Sequence, residues 1–199
     1  MDLRKILENP FIYTTYQRLV GGYRARRLFV ENHVNAKSSQ KILDVGCGPG
    51  YMLEFLPELN YTGIDIDNDY IKKAQSLYGE KAKFICAAVE DVELDDPGTY
   101  DIVTAAGILH HLDDDSCIAL FQLAKKALKP NGYFVSMDGC FRDSQSEIAR
   151  FFLKKDRGEY VRNEGDYIQL ASNVFDVIDS EIDETYFRIP YTSILMKCQ

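Results

Sequence analysis

Asp44 ends a short apolar run and is followed at once by Val45-Gly46-Cys47-Gly48-Pro49-Gly50. An acid therefore stands directly before three glycines at alternate positions. A glycine-rich turn after a strand lets backbone approach a ligand closely. The spacing narrows the choice of ligand. The dinucleotide fingerprint GxGxxG would need a third glycine at position 51, where Tyr51 stands. A phosphate loop would need Lys and then Ser or Thr, and no Lys follows Gly50. Asp44 would repel a phosphate and suits a ligand with an ammonium group. Fifteen residues after Gly50 a second apolar run, YTGIDID, reaches Asp65. An acid at such a strand end can accept both hydroxyls of a ribose. The two acids and the turn ask for a phosphate-free, ammonium-bearing group beside a nucleoside, which is the chemistry of S-adenosylmethionine.

These residues need strands that end beside one another. The sequence predicts strands at Ile42–Val45, Tyr61–Asp65, Phe84–Ala87, Ile102–Ala105 and Tyr133–Met137. Helices are expected between them, at Tyr51–Leu56, Asn68–Tyr78 and Ser116–Leu128, the last stopped by Pro130-Asn131-Gly132. Short apolar strands alternating with helices give a parallel sheet covered on both faces. Residues 1–37 read as a helical preface broken at Gly21-Gly22. After Asp138 the pattern changes. Helices are expected at Ser144–Lys155 and Asp166–Val174. Two strands, Val177–Ile182 and Ser193–Cys198, are joined without a clear helix and suggest an antiparallel pair at a sheet edge.

Four segments, ILDVGCGPG, YTGIDID, YDIVTAAGILHHL and LKPNGYFVSMD, resemble in order and spacing the class I S-adenosylmethionine-dependent methyltransferases over about residues 38–138. The resemblance implies an α/β fold: a three-layer αβα sandwich with a seven-stranded, mostly parallel sheet. Its implied order is 3-2-1-4-5-7-6 with strand seven antiparallel, and N-terminal helices precede it. One domain over 1–199 is expected, with a helical preface (1–37), a cofactor-binding core (38–138) and substrate-side helices and edge strands (139–199). By the same resemblance Gly46, Gly48 and Gly50 line the methionine portion, with Cys47 a small side chain within that turn. Asp44 helps hold the amino group, directly or through water. Asp65 takes the ribose hydroxyls, Ile66 packs on adenine, and the backbone at Ala105-Ala106 meets the methionine end. Where such enzymes often carry an adenine-binding Asp, this chain has Ala88. That contact passes to the backbone of Val89, or to Glu90 or Asp91.

His110 and His111 are adjacent, so at most one easily faces the cofactor. The resemblance favours His111, as a base or as a substrate-positioning residue. Asp113, Asp114 and Asp115 suit a helix N-terminus better than a metal site. Between Arg142 and Arg162 six basic residues stand against four acids in a chain of net charge −8. Arg157 and Arg162 flank Gly158 and Tyr160, and their guanidinium groups suit a carboxylate or phosphate on a substrate. Tyr13 and Tyr16 are placed on the substrate side, closing over the cofactor, with core packing the other use for them.

The acidic balance argues against nucleic acid and anionic membrane surfaces as partners. The five cysteines are scattered and form no CxxC pair, so neither a disulfide framework nor a metal site is expected. No run approaches a membrane span, and MDLRKILENP lacks the apolar core of a signal peptide. A cytoplasmic monomer or homodimer acting on a small molecule is expected. A signature Asn/Asp-Pro-Pro-aromatic is missing after strand four, where Thr104-Ala105-Ala106-Gly107 stands. Amino-group methylation of nucleobases or glutamine is disfavoured accordingly. A non-catalytic cofactor-binding module and a nicotinamide oxidoreductase are the competing readings, the latter opposed by Tyr51 and Asp44.

Overall fold

The computed structural model describes residues 20–155 and 158–199. Eight strands form one sheet: β1 (Lys41–Val45), β2 (Asn60–Asp65), β3 (Ala82–Cys86), β4 (Tyr100–Ala106), β5 (Leu128–Phe141), β6 (Arg162–Asn163), β7 (Ile178–Asp183) and β8 (Ser193–Cys198). The order is β3-β2-β1-β4-β5-β8-β7, and the two-residue β6 pairs off that path with the end of β5. The β1–β2, β1–β4, β2–β3 and β4–β5 pairs are parallel, whereas β8 runs antiparallel to β5 and β7. Without β6 this is the order 3-2-1-4-5-7-6 that the family resemblance implied.

Helices cover both faces. They are α1 (Gly22–Phe29), α2 (Asn68–Tyr78), α3 (Asp114–Ala127), α4 (Glu147–Lys155) and α5 (Glu164–Ala171). Side chains alternate along each strand, so β1 sends Ile42 to one layer and Leu43 and Val45 to the other. The first layer gathers Phe29, Val34, Ile71 and Ala74 from α1, its continuation and α2. The second packs Phe121 edge-on to Phe134 at 5.4 Å, with Phe175 stacked on Phe134 at 5.9 Å. Caps fix the helix starts: Asp67 accepts from the backbone of Asp69 and Tyr70, Asp113 from Ser116, and Asn163 from Asp166.

Two elements differ from expectation. Tyr51–Leu56 is a single 3-10 turn, Tyr51–Glu54, because Pro57 disfavours helical backbone at the residue before it. The segment Pro130-Asn131-Gly132 does not separate helix from strand as a loop. β5 starts at Leu128, immediately after α3, and pairing jumps from Tyr100–Leu128 to Ile102–Tyr133. The turn residues are absorbed as a bulge. β5 also runs past Met137 to Phe141, which gives β6 an edge to pair with.

Candidate active site

The parallel strands β1, β2 and β4 all end at one rim, where a cavity of about 480 Å³ opens. Asp44, at the end of β1, forms part of its floor and is 2% exposed. The Thr104 hydroxyl donates to Asp44 Oδ1 at 2.7 Å, and the Tyr61 hydroxyl donates to Oδ2. Burial pushes the Asp44 carboxyl up to about 6, and the two hydroxyl donors oppose that shift. Tyr61 and Thr104 come from the neighbouring strands β2 and β4, so sheet pairing itself presents the acid. Neither was expected from the sequence, because each reads there as an ordinary strand residue.

The glycine turn leaves β1 with its backbone tied to β2. Gly46 and Cys47 both donate to the Ile64 carbonyl. Gly48 N–H donates to Asp65 Oδ2 at 2.8 Å, while Oδ1 accepts from Asp67 N–H at 2.8 Å. Asp65 is thus oriented by backbone and keeps lone pairs toward the cavity, with burial raising its pKa. Gly46 has φ +74°, and a Cβ there would sit 2.6 Å from the Ile108 side chain. Any side chain would strain the turn and fill the wall. Cys47 is buried with its thiol pushed up by desolvation, and Sγ faces the Gly48 carbonyl. It is a small filler of the wall. Ile66 follows Asp65 with 72% of its surface exposed, an apolar face waiting for a flat partner.

Asp44, Gly46, Cys47, Gly48, Asp65, Ile66, Ala106 and His111 all line this one cavity. Five expected residues stand outside its wall. Gly50 belongs to the turn but packs against the rings of Phe84 and Tyr78. Ala105 points to the core under α3, because strand alternation sends only Ala106 to the cavity side. Val89 packs on the same core, and Glu90 is exposed in the turn after β3. Arg162 requires a correction. Its guanidinium is only 8% exposed on the side chain and is absent from the wall. It bonds Asp114 through Nε and Nη2, the Leu109 and Tyr160 carbonyls through Nη1, and the Leu112 carbonyl through Nη2. All five donors are spent inside the protein, so this arginine cross-links loops and does not receive a substrate anion. Tyr13, Tyr16 and Arg157 lie outside the described residues.

The wall also holds residues the sequence reading passed over. Tyr23 and Arg26 enter from α1, spaced i, i+3 on one helix face. Tyr51 closes the side, with Arg26 5.7 Å and Lys73 5.4 Å from its ring centre. The i, i+3 spacing of Tyr23 and Arg26 was visible, but it merges with the amphipathic pattern of a packing helix. Among the described residues no group of three or more His, Cys, Asp or Glu could hold a metal ion.

A family described as a methyltransferase domain matches residues 42–132. Together with the relatives below, this match supports a class I, S-adenosylmethionine-dependent methyltransferase. It is similar to the ubiquinone biosynthesis O-methyltransferase of Idiomarina loihiensis, 34% identical over 109 residues, covering 52% of this chain and 44% of that protein. It is also similar to N-terminal Xaa-Pro-Lys N-methyltransferase 1 of Mus musculus, 27% identical, covering 55% of this chain and 52% of the other. The chain thus spans about half the length of these curated relatives. In fold it resembles Haemonchus contortus phosphoethanolamine N-methyltransferase 2 in complex with S-adenosylhomocysteine. The TM-score is 0.75 at 17% identity, covering 98% of this chain and 58% of that one.

The methyltransferase site fits S-adenosylmethionine by the chemistry of its donors. Asp44 offers a buried anion for the ammonium group, Asp65 offers acceptors for ribose hydroxyls, and Ile66 offers an apolar face for adenine. Arg26 brings the opposite charge, suited to a carboxylate. No described helix is long and apolar enough to cross a membrane.

Proposed function

We propose that this protein is a methyltransferase whose acceptor is a small molecule, with an anionic group among the features it recognises. The observation that carries the reading is the single cavity that joins Asp44, Asp65 and Ile66 to His111. S-adenosylmethionine supplies an electrophilic methyl group on its sulfonium. The chain's own contribution is to hold the two reactants in line and shut out water. Asp44 and the glycine turn fix one end of the cofactor, Asp65 and Ile66 the other. His111 stands on the wall with an exposed ring and is suited to take a proton from an acceptor hydroxyl. The relatives include an O-methyltransferase and an N-methyltransferase, and a base at His111 would serve an oxygen acceptor. With Arg162 occupied and Arg26 suited to the cofactor's carboxylate, the support for an anionic acceptor comes from Lys73 on the wall.

The competing reading is a cofactor-binding module without turnover. Calorimetric titration with S-adenosylmethionine, followed by transfer of a labelled methyl group to a panel of phenolic and carboxylic acceptors, separates the two. Binding with transfer supports an enzyme, and binding without transfer across the panel favours the module. Tight binding of NAD with none of S-adenosylmethionine would overturn both. Lys73→Ala should weaken use of a carboxylated acceptor about tenfold while leaving a neutral analogue unaffected.

A further inference from the structure

A buried acid and a histidine stand immediately behind the cavity and line no part of it. His110 is 5% exposed and Asp138 2% exposed. They come from adjacent strand ends: His110 from the turn Leu109–His111 after β4, Asp138 from β5. One oxygen, Asp138 Oδ1, lies 2.7 Å from His110 Nδ1 and 3.2 Å from His110 backbone nitrogen. The carboxylate therefore grips both the ring and the backbone of one residue. From the other side, the segment after α4 closes on the same residue. Tyr160 N–H donates to the His110 carbonyl at 3.0 Å. Gly158 approaches so closely that a Cβ would fall 2.1 Å from His110 Cδ2. The His110 ring meets the His111 ring at 4.3 Å between centres. His111 is the cavity residue.

A scaffold alone does not account for this arrangement. Burying a carboxylate is costly, and an amide would grip the same backbone nitrogen without that cost. Asp138 Oδ2 and the Ser136 hydroxyl have no protein partner, so the carboxylate's hydrogen bonds are concentrated on Oδ1 and the His110 turn. What the acid adds is a negative charge held against an imidazole. Burial raises its pKa and His110 counters that effect.

We propose that Asp138 and His110 are a positioning pair that sets the orientation and the protonation of His111. The proposal rests on the reading of His111 as the residue facing the acceptor. The pair fixes the His110 ring, and that ring backs His111 on the cavity wall. The other titratable groups around the pair are Asp113, Asp114 and Cys117 from the start of α3, with Asp114 paired to Arg162; Tyr167 from α5, whose hydroxyl donates to the Gly139 carbonyl; Tyr160 from the covering segment; and Arg26 and Asp44 on the cavity wall.

The chain has three histidines, His33, His110 and His111, so their ring signals can be assigned by single substitutions. Ring NMR titrations between about pH 5 and 9 then read the coupling directly, with and without S-adenosylhomocysteine. In Asp138→Asn the His111 midpoint should move by more than about half a unit. His33 should stay in place, and S-adenosylhomocysteine affinity should change less than about twofold. An unmoved His111 midpoint overturns the proposal. If Asp138→Asn does not fold, Gly158→Ala, which pushes the covering segment off His110, serves with the same expectation and the same overturning result. The titration needs no acceptor and can be read without ligand. Absence of S-adenosylhomocysteine binding in the wild type would count against the function proposed above and leave the coupling measurement standing.

Discussion

Asp44 concentrates the chemistry of the site in one side chain. Its carboxyl is raised to about 6 by burial, so it is ionised at neutral pH and protonates just below. Ionised, it attracts an ammonium group, and neutral it does not. Affinity for S-adenosylmethionine should therefore fall about tenfold between pH 7.5 and 5, measured by calorimetry. Asp44→Asn should bind weakly and without that pH dependence. Stability runs the other way. Between the ordinary carboxylate value and about 6 the native state holds a proton that the unfolded chain has released. Stability is thus present at low pH and lost as pH rises through that window, by on the order of 3 kcal/mol. Urea unfolding of wild type and Asp44→Asn at pH 4.5 and 7.5 checks the sign, since the variant lacks this loss. Asp44 and Asp65 were legible because acids at strand ends beside glycines have few other uses. Tyr61 and Thr104 were not, because hydroxyl donors in a strand announce themselves only once their partner across the sheet is known.

The segment from Gly158 to Arg162 is the element that holds the post-β4 turn in place. Arg162 ties it to Leu109, Leu112 and Asp114 with its whole guanidinium. Arg162→Met keeps the stem packing but takes the guanidinium donors from three carbonyls, of which Leu109 keeps the Leu112 N–H and Leu112 keeps the Cys117 thiol. The loss should be about 3 kcal/mol, read as a lower urea midpoint with an unchanged m-value. Binding of S-adenosylmethionine should weaken little, since the guanidinium is absent from the wall. A reading as an anion ligand predicts the reverse, with stability kept and turnover lost. From the sequence, Arg162 looked like a substrate-recognition residue together with Arg157. A basic residue in a loop has the same signature whether it meets a substrate or a carbonyl, and only the fold brings Leu109 to it.

At the scale of the whole molecule, the last hairpin secures the first described helix. Arg24 Nη1 donates to the Thr185 carbonyl and, at 2.7 Å, to the Tyr186 carbonyl. Arg188 N–H donates to the Val20 carbonyl at 2.9 Å. The Tyr186 hydroxyl receives Asn32 Nδ2 at 3.0 Å and lies 2.9 Å from His33 Nε2. Since α1 carries Tyr23 and Arg26 onto the cavity wall, the C-terminal loop sets one side of the site. Arg24→Ala should cost about 1 kcal/mol of stability. It should also lower S-adenosylmethionine affinity a few-fold although Arg24 touches no part of the cavity. Unchanged affinity with lowered stability would limit the hairpin to a structural role.

The amino-acid sequence alone determined the alternation of strands and helices, the antiparallel edge pair, and the cofactor end of the site. Those features depend on local periodicity and on short-range spacing, as between Asp44 and Gly46 or between Asp65 and Ile66. The tertiary structure decided what depends on partners far apart in the chain. It placed Ala106 rather than Ala105 on the wall and brought Arg26 to the cavity. It turned Arg162 inward and set Asp138 against His110. Each of these depends on which side chains the sheet order and the loops bring within hydrogen-bond distance, a quantity that spacing along a chain does not carry.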